Sequence, residues 1–166
     1  QILQLLKELQ KQNNMALVLI THDLGVVARM ADRVNVMYAG QVIESGTAED
    51  VFYRSSHPYT VGLKLALPSR EKNRDKLVPI EGSPPDLFQP PKGCAYYARC
   101  PYAMNLCEEK MPPEFKSGEE HMSRCWLHHG MARNRAIGTP VHTGTQDFSG
   151  SSAKSTRPIT QPDLTI

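Results

Sequence analysis

Two groups of residues in this 166-residue sequence could do chemistry. The first is Thr21-His22-Asp23, which closes the apolar run "ALVLI" at residues 16–20. An imidazole can accept or donate a hydrogen bond near neutral pH. In open α/β sheets, ligands bind beyond the C-terminal ends of the parallel strands. A histidine delivered to that edge can meet a phosphate or hold a water. The plainer reading of an isolated histidine is a satisfied core or surface residue. Asp23 reads equally as the N-cap of the helical run that follows it. The second group is Cys94, Cys100, Cys107 and Cys125, every cysteine in the chain, separated by five, six and seventeen residues.

The elements that must position these residues are legible from periodicity. Ile2, Leu5, Leu6 and Leu9 lie at helical spacing, and the asparagines of "QNNM" end that helix. "ALVLIT" (16–21) reads as a short strand, apolar throughout, of the kind buried on both faces of a parallel sheet. Helix, turn and buried strand make half of an α/β repeat. Leu24, Val27 and Met30 mark one face of a helix over 23–33. "RVNVMY" and "QVIES" alternate and are joined by Ala39-Gly40, which predicts a two-residue hairpin. Thr47 and Asp50 have the spacing of a capping box. Pro58 suits the first position of a helix, and Pro68 lies beyond its end.

From Ser69 the texture changes. "SREKNRDK" is charged, and "GSPPDLFQPPKG" reads as a linker or extended strap. The cysteine segment follows. The final stretch, rich in Ser, Thr, Gly and Pro, cannot bury enough surface to offset its ordering entropy and is expected to be disordered. The organisation expected is therefore an α/β part over 1–67, a strap over 68–93, a four-cysteine extension over 94–130 and a tail over 131–166.

Composition excludes several classes. A net charge of +2 gives no strong basic field for nucleic acid. No run approaches the ~18 apolar residues of a membrane span. The opening "QILQLLKELQ" is neither a signal peptide nor a Met start, and reads as a helix already in progress in a cytoplasmic chain whose beginning has been cut away.

Strand, histidine, helix and the "VMYAGQVIESG" hairpin, in that order, resemble the end of an ABC-transporter nucleotide-binding domain. "TAEDVF" followed by "HPYTVGL" resembles the oligopeptide/dipeptide importer branch, to which nickel importers also belong. The resemblance covers about residues 1–128. It implies the C-terminal part of an ATP-binding subunit that energises uptake of peptides or related solutes. His22 would then contact the γ-phosphate of ATP and help position the attacking water, with Thr21 and Asp23 shaping the loop. ATP and Mg²⁺ would be bound by the complete protein only. The implied partners are a second ATPase subunit, a membrane permease at the cytoplasmic face and, indirectly, a solute-binding protein. No phosphate loop, signature motif or strand ending in Asp-Glu occurs in the chain. This segment alone is therefore expected not to hydrolyse ATP.

Four thiols in a short segment of a cytosolic chain argue for metal rather than disulfides, the plainer alternative being four buried or disulfide-linked cysteines without metal. The spacing matches neither the paired C-x₂-C of zinc ribbons nor a bacterial ferredoxin run. Thiolates suit Zn²⁺ or an iron–sulfur cluster, and spacing leaves the two open. The resemblance implies a [4Fe-4S] cluster with a structural role, with zinc as its alternative. Tyr96, Tyr97, Tyr102 and Trp126 would pack around it, and Lys92 and Arg99 would offset its charge. His121, His128 and His129 stand by as substitute ligands. The competing function is a stand-alone metal-binding interaction or regulatory module without ATPase activity.

Overall fold

The computed structural model describes residues 1–67, 79–130 and 132. The charged "SREKNRDK" stretch and nearly all of the tail expected over 131–166 lie outside the described residues. The architecture is mixed α/β, built on one small antiparallel sheet.

The chain opens with α1 (Ile2–Asn13), closed by Asn14 in the left-handed region at φ 49°. Asparagine tolerates that conformation at a helix end. The apolar stripe of α1 is only partly covered by the described residues: Leu6 is half-buried, but Ile2 is 77% exposed and Leu5 56%. The segment after it corrects the sequence reading. Residues 16–21 form no strand, and Val18 and Ile20 are 86% and 94% exposed. A central parallel strand is held by hydrogen bonds to neighbours on both sides. No described segment supplies such a neighbour, so the expected parallel strand does not form here.

Asp23 caps α2 (Leu24–Met30), its Oδ1 accepting from the Val26 amide at 3.1 Å. The helix stops three residues before the expected end because Ala31 is already extended, leading into β1 (Arg33–Tyr38). β1 alternates out and in, sending Val34, Val36 and Tyr38 to the core. It pairs antiparallel with β2 (Gln41–Thr47) through the predicted two-residue turn. Both turn residues, Ala39 and Gly40, have positive φ (49° and 78°), as the right-handed twist of a tight hairpin requires.

The register shifts between Val36 and Met37, where Ile43 is the extra residue on β2. Such a bulge breaks strict alternation. Ile43 and Glu44 are consequently adjacent and both buried. The bulge therefore turns a carboxylate into the protein.

Thr47 and Asp50 form the expected capping box at the start of α3 (Ala48–Tyr53). Pro58 opens α4 (Pro58–Leu65), with His57 as its N-cap. The cysteine extension contributes α5 (Asn105–Glu109) and two short strands, β3 (Phe115–Lys116) and β4 (Met122–Ser123). β4 pairs with the outer edge of β2, placing Ser123 opposite Glu44, so the sheet order is β1-β2-β4-β3. Tyr96, from the extension, is buried in one cluster with Val34, Val36, Tyr38, Ile43 and Val51. The hairpin and the extension thus share a core.

Candidate functional site

His22 lies in the exposed turn between residues 16–21 and α2. The turn is shaped from both sides. Thr21 Oγ1 accepts from the Asp23 amide at 3.0 Å, and Asp23 Oδ1 caps α2. Asp23 is therefore occupied as a helix cap, and Thr21 holds the backbone on the other side of the ring. The imidazole itself stands in solvent. The backbone is thus fixed on both sides of the exposed His22.

A second group of residues lies at the junction with the extension, and sequence reasoning did not single out its centre. The Glu44 carboxylate is 1% exposed. Its Oε1 accepts from the Ser56 amide (2.7 Å), the Ser56 hydroxyl (3.1 Å) and His121 Nε2 (2.7 Å), and its Oε2 from the His57 amide (3.0 Å). Four donors converging on one carboxylate offset the cost of burying its charge. They also fix the His121 tautomer, since only a protonated Nε2 can donate to it. His121 is 2% exposed, and its Cδ2 sits 3.1 Å from where a Cβ on Gly46 would stand. A third imidazole, His128, donates from Nε2 to the Ser56 carbonyl at 2.7 Å. A strand glutamate gives no sequence signal that it will be buried. Only the bulge at Ile43 decides that.

Among the described residues His57 is the most buried imidazole, at 1% exposure. Its Nδ1 accepts from the Tyr59 amide at 3.1 Å, so the ring is neutral with its proton on Nε2. Nε2 is buried without a well-formed hydrogen bond, and the Arg124 backbone is the polar group that acts on the ring. Desolvation pushes the His57 pKa down to about 4; the Glu44 charge opposes the shift and nearby His128 adds to it. His57 packs on Tyr96, which also meets Tyr38 and Tyr59 edge-on at 5.4 Å.

The structure brings all four cysteines together. Cys94, Cys100, Cys107 and Cys125 line one small cavity with His57, Tyr96 and Trp126, and all four are free thiols. Tyr96, Tyr97, Tyr102 and Trp126 surround it, as expected. The metal reading is corrected. Among the described residues, no group of three or more His, Cys, Asp or Glu side chains is placed to hold a metal ion. As free thiols the four stay protonated: burial lifts Cys100 and Cys125 to about 12 and moves Cys94 and Cys107 in the same direction. The cavity holds about 10 Å³, room for roughly one water. The iron–sulfur and zinc expectations for these cysteines are not supported, and the segment is built as a packed thiol cluster. Spacing misled because cysteine is also among the most readily buried small residues.

Nor do the substitute ligands take up a metal-binding role. His121 and His128 are engaged by Glu44 and Ser56, and His129 stacks near Phe115 and Trp126. Arg99 serves structure: Nε and Nη2 donate to the Glu81 and Ile80 carbonyls, and Nη1 to the Tyr38 hydroxyl. It ties the strap to the end of β1.

Known proteins resemble this chain over most of its length. The family model described as "Oligopeptide/dipeptide transporter, C-terminal region" matches residues 43–107, from the bulge on β2 through the third cysteine. The chain is 47% identical over 137 residues to the dipeptide transport ATP-binding protein DppD of Bacillus subtilis, covering 82% of this chain and 41% of that protein. It is 50% identical over 130 residues to the oligopeptide transport ATP-binding protein OppD of the same organism, covering 78% and 36%. The oligopeptide transport ATP-binding protein OppD of Salmonella typhimurium is 48% identical over 114 residues, 69% of this chain and 34% of its own length. The chain thus spans about two fifths or less of the length of these curated relatives. The chain carries the C-terminal region of the oligopeptide/dipeptide transporter family and is similar to that family's dipeptide and oligopeptide transport ATP-binding proteins.

Proposed function

We propose that the complete protein is the ATP-binding and ATP-hydrolysing subunit that energises uptake of peptides, or related solutes, through an ABC importer. The similarity to dipeptide and oligopeptide transport ATP-binding proteins over about four fifths of the chain carries this reading. His22 acts at the γ-phosphate and positions the attacking water. Its exposed turn, braced by Thr21 and the Asp23 cap, is consistent with that task. Phosphoryl transfer is mostly positioning and electrostatics, so one oriented donor matters. ATP and Mg²⁺ bind to parts of the complete protein that precede this segment, so the segment alone is inactive. Residues 1–67 complete the nucleotide-binding domain, the strap spans 68–93, and 94–130 form the extension.

The uncovered apolar faces fit the same reading. Ile2 and Leu5 on α1, with Val18 and Ile20 beyond it, are surfaces that the remainder of a nucleotide-binding domain would bury. The subunit pairs with a second ATPase subunit and docks peripherally on permease subunits at the cytoplasmic face of the membrane. No described helix is long and apolar enough to cross a membrane.

The test uses the complete subunit with its permease. His22→Ala should lower ATP turnover by about a hundredfold, the scale for removing one oriented donor at a transition state. Full turnover by that variant would refute the role of His22. Magnesium-dependent hydrolysis by rigorously purified residues 1–166 would refute the division of labour.

A further inference from the structure

The Glu44 junction draws its donors from separate parts of the chain. Ser56 and His57 precede α4, while His121 arrives from the extension, 77 residues beyond Glu44. All four contacts donate to the carboxylate. The extension adds β4 alongside β2 at the same point, pairing Ser123 with Glu44. On the other side, β2 is bound to β1, whose inward residues form the core with Tyr96. Val27 and Ala31, on and just after α2, pack against that core. The Asp32 carbonyl accepts from the Ala48 amide at 3.0 Å, tying the end of α2 to α3. The other end of α2 is capped by Asp23, the residue next to His22.

We propose that His121, acting through the buried Glu44 carboxylate, is a positioning residue for the His22 turn. The docked extension holds the β1–β2 hairpin, the hairpin and Tyr96 hold α2, and the N-terminus of α2 sets the direction of the imidazole. The extension would then adjust the competence of the nucleotide site without touching nucleotide. This inference rests on the function proposed above. Contiguous packing gives a route for coupling but does not measure it, so the experiment must read both ends.

The test uses the complete subunit in its transporter. His121→Leu keeps the volume and removes the donor, whereas His121→Gln keeps an N–H. His121→Leu should reduce kcat for ATP by roughly fivefold, the low end of measured site-to-site coupling. KM for ATP should stay within about twofold, and His121→Gln should restore most of kcat. Amide exchange at Val27 and Ala31 should accelerate in His121→Leu along with that at Ser56 and His57. If His121→Leu does not fold, Glu44→Gln serves in its place, since its amide presents donors where four donors already converge. Faster exchange at Ser56 and His57, with α2 exchange and kcat both unmoved, would overturn the proposal. A fully active His22→Ala control would refute the proposed role of His22, and exchange in α2 would still decide whether the extension holds that helix.

Discussion

The buried His57 makes a pH-dependent prediction that can be worked through from the structure. Its ring is held neutral by the Tyr59 amide on Nδ1 and by a 1% exposed site packed on Tyr96. Protonating it would break the α4 cap and place a positive charge at a helix N-terminus, which the helix dipole disfavours. In the folded state its pKa is pushed down from 6.5 to about 4. An unfolded chain takes up this proton as pH falls below 6.5, while the folded chain resists until about 4. Between those values the unfolded state binds more protons, so stability must rise with pH. The contribution is fully present above 6.5 and is lost as pH falls through about 4. At about 1.4 kcal/mol per pH unit, it amounts to roughly 3 kcal/mol over that window. The assay is urea unfolding of the chain at pH 7.5 and at pH 4.5, followed by tyrosine and tryptophan fluorescence. The comparison is with His57→Asn, which can cap α4 without titrating. Other groups titrate in both proteins and cancel in the difference. The wild type should lose about 2–3 kcal/mol more than the variant. Equal losses in both proteins would show that His57 is not held neutral, and the burial argument would fail.

Further expectations follow from the same geometry. At pH 7.5 Cys100 and Cys125, pushed up to about 12, should alkylate roughly a thousandfold more slowly than a free thiol in the native state. They should react at ordinary rates in denaturant, and fast native labelling would contradict a packed thiol cluster. Gly93→Ala would put a methyl 2.2 Å from the Cys107 carbonyl oxygen, against backbone that cannot give way. It should cost about 3 kcal/mol in urea unfolding, and a loss below about 0.5 kcal/mol would mean the two segments are less closely packed. Thr47→Ala removes the capping-box hydroxyl from the Asp50 amide and should cost about 1 kcal/mol. Arg99→Lys loses the fork that holds both strap carbonyls and the Tyr38 hydroxyl. Amide exchange and proteolysis in the strap around Glu81 should rise while the hairpin stays protected.

How much was legible in the sequence depends on the range of the interaction concerned. Local chemistry was readable: the Asn14 helix end, the Asp23 cap, the Ala39-Gly40 turn, the Thr47/Asp50 box and Pro58 at a helix start. Each depends on residues within about four positions, so the sequence carries it whatever the rest of the chain does. The motif order around His22 was readable for the same reason, and with it the family. The apolar residues of 16–21 suit a strand, yet a strand also needs hydrogen-bonding neighbours, and composition does not supply them.

The tertiary structure alone decided the junction. One extra residue at Ile43 turns Glu44 inward, and donors 12, 13 and 77 residues away meet it there. No spacing rule announces such a meeting. The fate of the cysteines was also a matter of packing. The sequence counts four thiols, but only the folded surroundings determine how strongly each is desolvated, and that decides whether it remains protonated.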